Sequence, residues 1–169
     1  MQKENTASNV CLAAPGLAIN STTTQVKYAN TFTFKANGRI SPSVTTLAAP
    51  SLALATTPTP YPNGTAAVAG TLAAGFYRVY TLVGDITANG TGTVTPTYSW
   101  LASADISNTT DLPSLGYAVL PDKSSQCPIG FVIVSNVNTS TAFTPNTTAL
   151  NASSITTTYI DNYAISAAH

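Results

Sequence analysis

The scarcity of charged side chains limits what this chain can fold into more than any other feature of its sequence. Asp, Glu, Lys and Arg make up only 7% of its residues, against roughly 25% in an ordinary soluble protein. A small monomer normally stays in solution behind a dense coat of mixed charges. This chain must instead face water with hydroxyl and amide groups, or bury much of its outside against other subunits. The composition therefore indicates an assembled or extracellular structural protein.

The distribution of the few charges excludes several classes of partner. The formal net charge is zero, and the six Lys and Arg residues are scattered along the chain. Nucleic-acid binding needs a basic stripe that displaces counterions, and membrane-surface binding needs a basic amphipathic helix. The apolar stretch from Val10 to Ile19 is interrupted by Pro15 and Gly16, so it is too short for a secretory signal or a spanning helix. We therefore expect no nucleic-acid partner and no membrane partner.

The residues that take the place of charges favour strands over helices. The chain contains eight Tyr, five Phe and one Trp, together with many Thr, Val and Ile residues, and these are the strand-forming types. No long stretch shows a 3.6-residue apolar period. A chain of 169 residues has room for one real core. The sequence therefore predicts an all-β fold, an antiparallel β-sandwich or jelly-roll-like domain with long loops.

The clearest local signal is a hairpin over residues 30–40. Phe32, Phe34 and Ala36 alternate with polar residues, which places them on one face of a strand. Asn37-Gly38 follows and supplies the two positive-φ residues of a type I′ turn. We therefore expect a second strand to begin at Arg39.

A second hairpin joins residues 75–83 to residues 93–100 through a link over 84–92. Its first strand is apolar or aromatic on both faces, which predicts cover on both sides. Pro96 has no N–H to donate and so predicts an edge or a bulge for the second strand. Three further strands are predicted, of which the middle one is continuously apolar and therefore central: Tyr117–Leu120, Ile129–Val134 and Ile155–Ile160.

The chain divides into an N-terminal arm over residues 1–20 and a single β domain over residues 21–169. The domain contains an extended loop at about 41–74, rich in Pro, Ala and Thr. Alternating prolines favour a polyproline-like conformation, so this loop is either a surface loop or an arm that lies on a neighbouring subunit. In the second case the candidate contact residues are Pro58, Pro60, Tyr61 and Pro62.

The side chains that carry most enzyme chemistry are scarce. The one histidine is His169, the last residue, so no Ser-His-Asp, Cys-His or His-based zinc arrangement is expected. Cys11 and Cys127 would pair in an oxidising compartment and would be small buried thiols in a reducing one. The six carboxylates lie in the N-terminal tail or in predicted turns and loops. We therefore expect no catalytic residue, no metal site, no cofactor and no enzymatic activity.

Two aromatic residues on the second hairpin, Tyr98 and Trp100, admit two interpretations. On an exposed sheet face they would form a platform for a sugar or a protein partner. In a core they would supply cross-strand packing, the more common use of such residues. They are therefore candidate partner-contact residues, with core packing as the alternative.

The order of several segments resembles virion structural proteins of tailed bacteriophages. The segments are F-T-F-K-A-N-G-R-I at 32–40, G-F-Y-R-V-Y-T-L-V-G-D at 75–85, G-T-V-T at 92–95, L-P-D-K-S-S-Q-C-P-I-G-F-V-I-V at 120–134, and F-T-P-N-T-T-A-L-N-A-S-S-I-T-T-T-Y-I-D at 143–161. The resemblance spans about residues 28–161 and includes no catalytic motif. It departs from the family at Asn146, where a turn glycine is expected, and at the Pro-rich loop and Cys11.

The resemblance implies a decoration (cement) or head-fibre protein on the outer surface of a capsid, made in the host cytoplasm. Such a protein is often a trimer. It stabilises the shell by binding the major capsid protein or other virion proteins across subunits. The alternative is a receptor- or carbohydrate-binding β module of a tail or surface fibre, which would need exposed aromatic residues.

Overall fold

The computed structural model describes residues 9–44, 70–88, 94–109, 111–121, 126–138 and 140–163. These residues form antiparallel sheets with long connections and contain one short 3-10 helix, Leu115–Tyr117. Two layers of strands enclose the main core. The prediction of an all-β, antiparallel, sandwich-like fold is confirmed.

The larger layer is a five-stranded antiparallel sheet, the main sheet. Its strands are β6 (Phe76–Ala88), β7 (Val94–Ala102), β8 (Ile106–Ser107), β9 (Gln126–Asn136) and β10 (Ile155–Asp161). Their order is β10-β9-β6-β7. The short β8 pairs with the first residues of β6, and β7 pairs with the later residues of β6. The predicted central position of the apolar run in β9 is confirmed, and β7, which carries Pro96, lies at an edge.

The second layer consists of two small antiparallel sheets. Their strands are β1 (Val10–Cys11), β2 (Leu17–Ile19), β3 (Val26–Tyr28), β4 (Phe34–Ala36) and β5 (Arg39–Ile40). One sheet has the order β1-β4-β5, and the other is the β2-β3 hairpin. At the predicted turn between β4 and β5, Asn37 and Gly38 both have positive φ, 49° and 72°. Local turn chemistry and the alternation of residues 32–36 therefore set this hairpin as expected.

The main core lies between the two layers. We call the side of the main sheet that faces it the core face, represented by Tyr80, Leu82, Trp100 and Val132. The layers approach each other closely at Gly84, where an added Cβ would lie 2.5 Å from Phe34 Cζ. A glycine at this position allows the Phe34 ring to pack directly on the backbone of β6.

The opposite side of the main sheet is also buried along its central strands. We call it the outer face, represented by Tyr77 and Val79 of β6 and Ile133 of β9, which form a second apolar cluster. The first strand of the predicted second hairpin is β6. The prediction that it is covered on both sides is confirmed, because every residue from Tyr77 to Gly84 is buried.

One predicted element boundary and one predicted strand are wrong. The link of the second hairpin does not begin at Gly84, because β6 continues to Ala88 and pairs with β7 along that length. Residues 117–120 do not form a strand: Tyr117 ends the 3-10 helix and the following residues have no regular structure. Tyr117 and Ala118 pack on the apolar cluster of the outer face, whereas Leu120 is exposed, and Pro121 ends the run.

The described parts of the predicted arm and loop are tied to the domain. Residues 9–20 contain β1 and β2, and the Cys11 side chain is fully buried. Val44 bridges to Phe32, and Leu72 bridges to Phe143. Residues 1–8 of the arm and 45–69 of the loop lie outside the described residues, so their roles stay predictions. Asn146, where the resemblance expects glycine, does adopt a positive φ of 64°.

Candidate protein-binding surface

The structure places Trp100 in the core, as the packing interpretation expects. Its side chain is 2% exposed, and its ring meets Tyr80 edge to face at a centroid distance of 6.4 Å. A buried indole offers no platform to an external ligand.

Tyr98 is half-buried and packs against the same core. Its ring lies 5.8 Å from Tyr28 and 6.1 Å from Phe34, and burial raises the pKa of its hydroxyl to about 12. With Trp100 in the core and Tyr98 packed against the second layer, the carbohydrate-binding alternative loses the platform on which it was based. The other candidate contacts, Pro58, Pro60, Tyr61 and Pro62, lie outside the described residues.

Half of the exposed large apolar side chains of the described residues lie in one segment, which contains none of the predicted contact residues. Leu112 is 84% exposed, Leu120 51%, and Leu115 and Tyr117 are also exposed. All four fall within nine residues, and we call this group the apolar loop face. Single exposed apolar residues are ordinary, but a contiguous group is typical of an interaction surface.

The segment that carries the apolar loop face is held in place by its own polar contacts. The Tyr117 hydroxyl donates to Asp111 Oδ2 at 2.5 Å, and the Tyr117 ring lies edge to face on Tyr77 of the outer face, with centroids 6.3 Å apart. The Ala118 N–H donates to the Leu115 carbonyl at 2.9 Å. These contacts fix the backbone while the leucine side chains stay in solvent.

Asn108 anchors the start of this segment to the end of the main sheet. Its N–H donates to the Gly75 carbonyl at 2.8 Å, its Nδ2 donates to the Asn136 carbonyl at 3.2 Å, and its Oδ1 accepts from Ser135 Oγ at 3.1 Å. A side chain amide that bonds at both ends leaves little freedom of rotation. The segment is therefore ordered before any partner arrives.

A groove of about 280 Å³ lies between this segment and the outer face. It is lined mainly by apolar side chains and threonine methyl groups, from Leu112, Pro113, Ile133, Val137, Thr156 and Thr158. Val137 is itself 58% exposed. The groove therefore extends the apolar loop face onto the edge strand β10.

The electrostatics of this surface are nearly neutral. Asp111 is the one charged residue between 106 and 121, and its carboxylate is engaged by Tyr117. That hydrogen bond to a negative group raises the pKa of the Tyr117 hydroxyl. The surface can therefore bind by shape and apolar contact, with Asp111 as the single charge that a partner could desolvate.

The described carboxylates are engaged in structural contacts on separate elements. Asp105 pairs with the buried Arg78 at 2.7 Å, and Asp85 accepts from Gln126 at 3.0 Å. Asp161 accepts the N–H groups of Gly16 and Leu17, at 3.1 and 2.9 Å, and so ties β10 to the second layer. Within the described ranges no group of three or more metal-ligating side chains comes together.

Arg78 belongs to the framework of the fold. Its side chain is 1% exposed, and besides Asp105 it donates to the Gly70 carbonyl at 2.9 Å and to the Tyr80 hydroxyl at 3.2 Å. Burial acts to lower the pKa of Arg78, but Tyr80 and Asp105 outweigh it, and the pKa is raised. A buried guanidinium with this many acceptors has its charge compensated.

Both cysteines are free and buried. Burial raises the pKa of Cys11 to about 11 and that of Cys127 to about 12. A thiol that stays protonated at neutral pH is a weak nucleophile and metal ligand. Of the two interpretations of these cysteines, a disulfide or two small buried thiols, the structure has the buried thiols.

One sequence signal does mark the apolar loop face. The run D-L-P-S-L-G-Y-A-V-L-P at 111–121 contains many large apolar residues but shows no alternation, and it is interrupted by Pro113 and Gly116. Such a run cannot enter a ladder along its length. Apolar residues without a strand or helix to bury them indicate a surface segment.

Comparison with protein-family models, with characterised proteins and with solved structures finds no match to this chain. The likeness to phage virion proteins therefore stays a prediction that depends on the segments quoted above. In the described part of the chain, no helix is long and apolar enough to cross a bilayer.

Proposed function

We propose that this protein is a non-enzymatic structural protein that binds other protein subunits through the apolar loop face. The observation that carries the proposal is a pre-ordered surface with Leu112 at 84% exposure and a single charge in its segment. Interface centres are depleted in charge and enriched in apolar and aromatic residues. Contact with a partner would remove Leu112, Leu115, Tyr117 and Leu120 from water, which is favourable.

The assembly that we propose is the outer surface of a phage capsid, as the resemblance implies. There the chain would act as a decoration or head-fibre protein and bind the major capsid protein or another virion protein across a seam. A standard interface buries about 1,600 Å². Even a weak contact of this kind, repeated around a shell, would raise the free energy needed to open it. The trimer that the resemblance implies belongs to the same proposal.

The test uses purified chain and undecorated phage heads. We expect the chain to co-sediment with the heads and to raise their melting temperature in scanning calorimetry. A failure of the wild-type chain to do either would show that the capsid assignment is wrong.

A pair of variants tests the binding surface separately. Leu112→Ser together with Leu120→Ser should abolish binding while the variant stays folded. The matched control is Ile40→Ser, which removes a side chain of 59% exposure from β5, and it should bind as wild type does. Equal loss of binding in the control would show that the apolar loop face is not the specific binding surface.

A further inference from the structure

The two edges of the main sheet differ in how they are protected. The β7 edge carries Pro96, and β8 extends the same side of the sheet past its end. The β10 edge, Ile155–Asp161, has neither proline nor lysine. Natural sheets usually guard a free edge with such residues, because unpaired backbone groups are a template for another strand. The one charged residue of β10, Asp161, has its carboxylate engaged by Gly16 and Leu17, so the β10 edge is less protected than the β7 edge.

Two hydrogen bonds establish which backbone groups of β10 point outward. The Val137 N–H donates to the Ser154 carbonyl at 2.9 Å, and the Asn162 N–H donates to the Ile129 carbonyl at 3.0 Å. In an antiparallel ladder, alternate residues bond to the same neighbour. Even-numbered residues of β10 therefore bond to β9, and Thr157, Tyr159 and Asp161 direct their N–H and C=O groups away from it. Among the described residues, these groups have no backbone partner.

We propose that β10 pairs with β10 of a second copy of this chain, antiparallel, about a two-fold axis at Tyr159. In this register Thr157 lies opposite Asp161 of the other copy. Every outward N–H and C=O of Thr157, Tyr159 and Asp161 then has a partner, and the two main sheets become one continuous sheet. A two-fold contact of this kind is self-complementary, since each copy contributes the same residues.

Charge favours a second copy as the occupant. Asp161 is the one ionisable acid or base group on β10 apart from the Tyr159 phenol, and its carboxylate already accepts from Gly16 and Leu17. The register sets it opposite a threonine, so like charges do not face each other. On the outer face, Thr158 lies opposite Ile160, and cross-strand pairs of β-branched residues are favourable. A strongly charged partner strand would find no complementary charge here.

A groove of about 370 Å³ lies next to β10, lined among others by Ile19, Leu150, Ile155 and Tyr159. These side chains are apolar, and they match the Thr and Ile residues that a second β10 would bring. The strand is short, so the contact is smaller than a standard interface of about 1,600 Å². We therefore expect association to depend on protein concentration. This proposal does not rest on the proposed function.

Sedimentation velocity tests the pairing over about 10 µM to about 1 mM, the range in which weak interfaces form. We expect a concentration-dependent, even-numbered assembly. Thr158→Lys places two like charges diagonally across the two-fold axis, and Thr158→Glu does the same with the opposite sign. Each variant alone should weaken association roughly fivefold, and an equimolar mixture should restore it.

Ser99→Lys is the matched control, because Ser99 is an exposed residue of the opposite edge strand, β7. It should associate as wild type does. A wild-type chain that stays monomeric or forms only odd-numbered assemblies would overturn the proposal. So would a control that weakens association as much as Thr158→Lys, or a mixture that shows no restoration.

Amide hydrogen exchange supplies a readout at residue level. At low concentration the amides of Thr156 and Thr158 should be protected and those of Thr157, Tyr159 and Asp161 should exchange fast. At high concentration the three odd-numbered amides should become protected together. Concentration-independent exchange at these three amides would contradict pairing through β10 and would assign any observed association to another surface.

Discussion

The two faces of the main sheet are both covered, but the covers differ in kind. The core face meets strands of the second layer, and Phe34 packs so closely on Gly84 that no side chain fits there. The outer face meets the segment 111–121, which packs on Tyr77 but leaves Leu112 in solvent. The second layer buries its apolar side chains in the core, where they stabilise the fold. The outer segment buries some of its apolar side chains and leaves others, such as Leu112, exposed to a partner.

The largest effect expected from this comparison is at Trp100 on the core face. Trp100→Ala removes a side chain that is 2% exposed and leaves a cavity beside Tyr80, so we expect a loss of about 3 to 5 kcal/mol in the free energy of unfolding. Urea denaturation measures it. The control is Leu112→Ser on the outer side, which should change stability by less than about 0.5 kcal/mol. Similar losses in the two variants would remove the distinction between the covers.

The next largest loss in the free energy of unfolding is expected where the two layers approach each other closely, at Gly84. Gly84→Ala adds a Cβ that would lie 2.5 Å from Phe34 Cζ and 2.9 Å from Ile129 Cδ1. Overpacking of this kind costs about 1 to 3 kcal/mol. The matched control is Gly116→Ala in the outer segment, where the nearest heavy atom is 3.6 Å away, and it should be close to neutral. A neutral Gly84→Ala would mean that the layers are not in direct contact there.

The outcome at these positions shows what the sequence could and could not predict. Alternation and the Asn37-Gly38 turn are local, so the β4-β5 hairpin was predicted correctly. The apolar run of β9 predicted its central position, because only a strand covered on both faces can be so apolar. The predicted end of β6 is too early because the predicted link begins at Gly84. Its actual role, close approach to Phe34, depends on a partner some fifty residues away in the chain.

The candidate site was missed for a related reason. Tyr98 and Trp100 carry the side chains that partner surfaces favour, but burial depends on the second layer, which no local pattern reveals. The exposed group at 112–120 contains the same types of residue. It is exposed because prolines and a glycine keep it out of the ladder, and that signal was present in the sequence.

The buried thiols give a pH-dependent effect on the core face. Their pKa values in the fold, about 11 for Cys11 and about 12 for Cys127, lie above the ordinary value of 9.0. Above pH 9 the unfolded chain loses these protons while the folded chain keeps them, so the unfolded state gains stability. The free energy of unfolding should therefore fall between about pH 9 and pH 11, by up to about 1.4 kcal/mol per pH unit for each thiol.

Urea denaturation at pH 8, 9 and 10 measures this fall. The double variant Cys11→Ala, Cys127→Ala is the control, and its stability should fall less steeply over the same range. Identical slopes for wild type and variant would mean that groups other than the thiols set the alkaline sensitivity.

The smallest effect concerns how the apolar loop face is held on the outer face. Tyr117 donates to Asp111, and this hydrogen bond raises the pKa of its hydroxyl above the ordinary 10.0. The bond is present below pH 10 and is lost as the pH rises through the raised value. Asp111→Ala should return the pKa of Tyr117 toward 10.0, as measured by NMR titration with ring-labelled tyrosine. Leu112→Ser leaves the bond in place and should not change it. An unchanged pKa in Asp111→Ala would show that this hydrogen bond does not hold the segment, and the apolar loop face would then depend on the Tyr77 ring contact and on the bonds of Asn108.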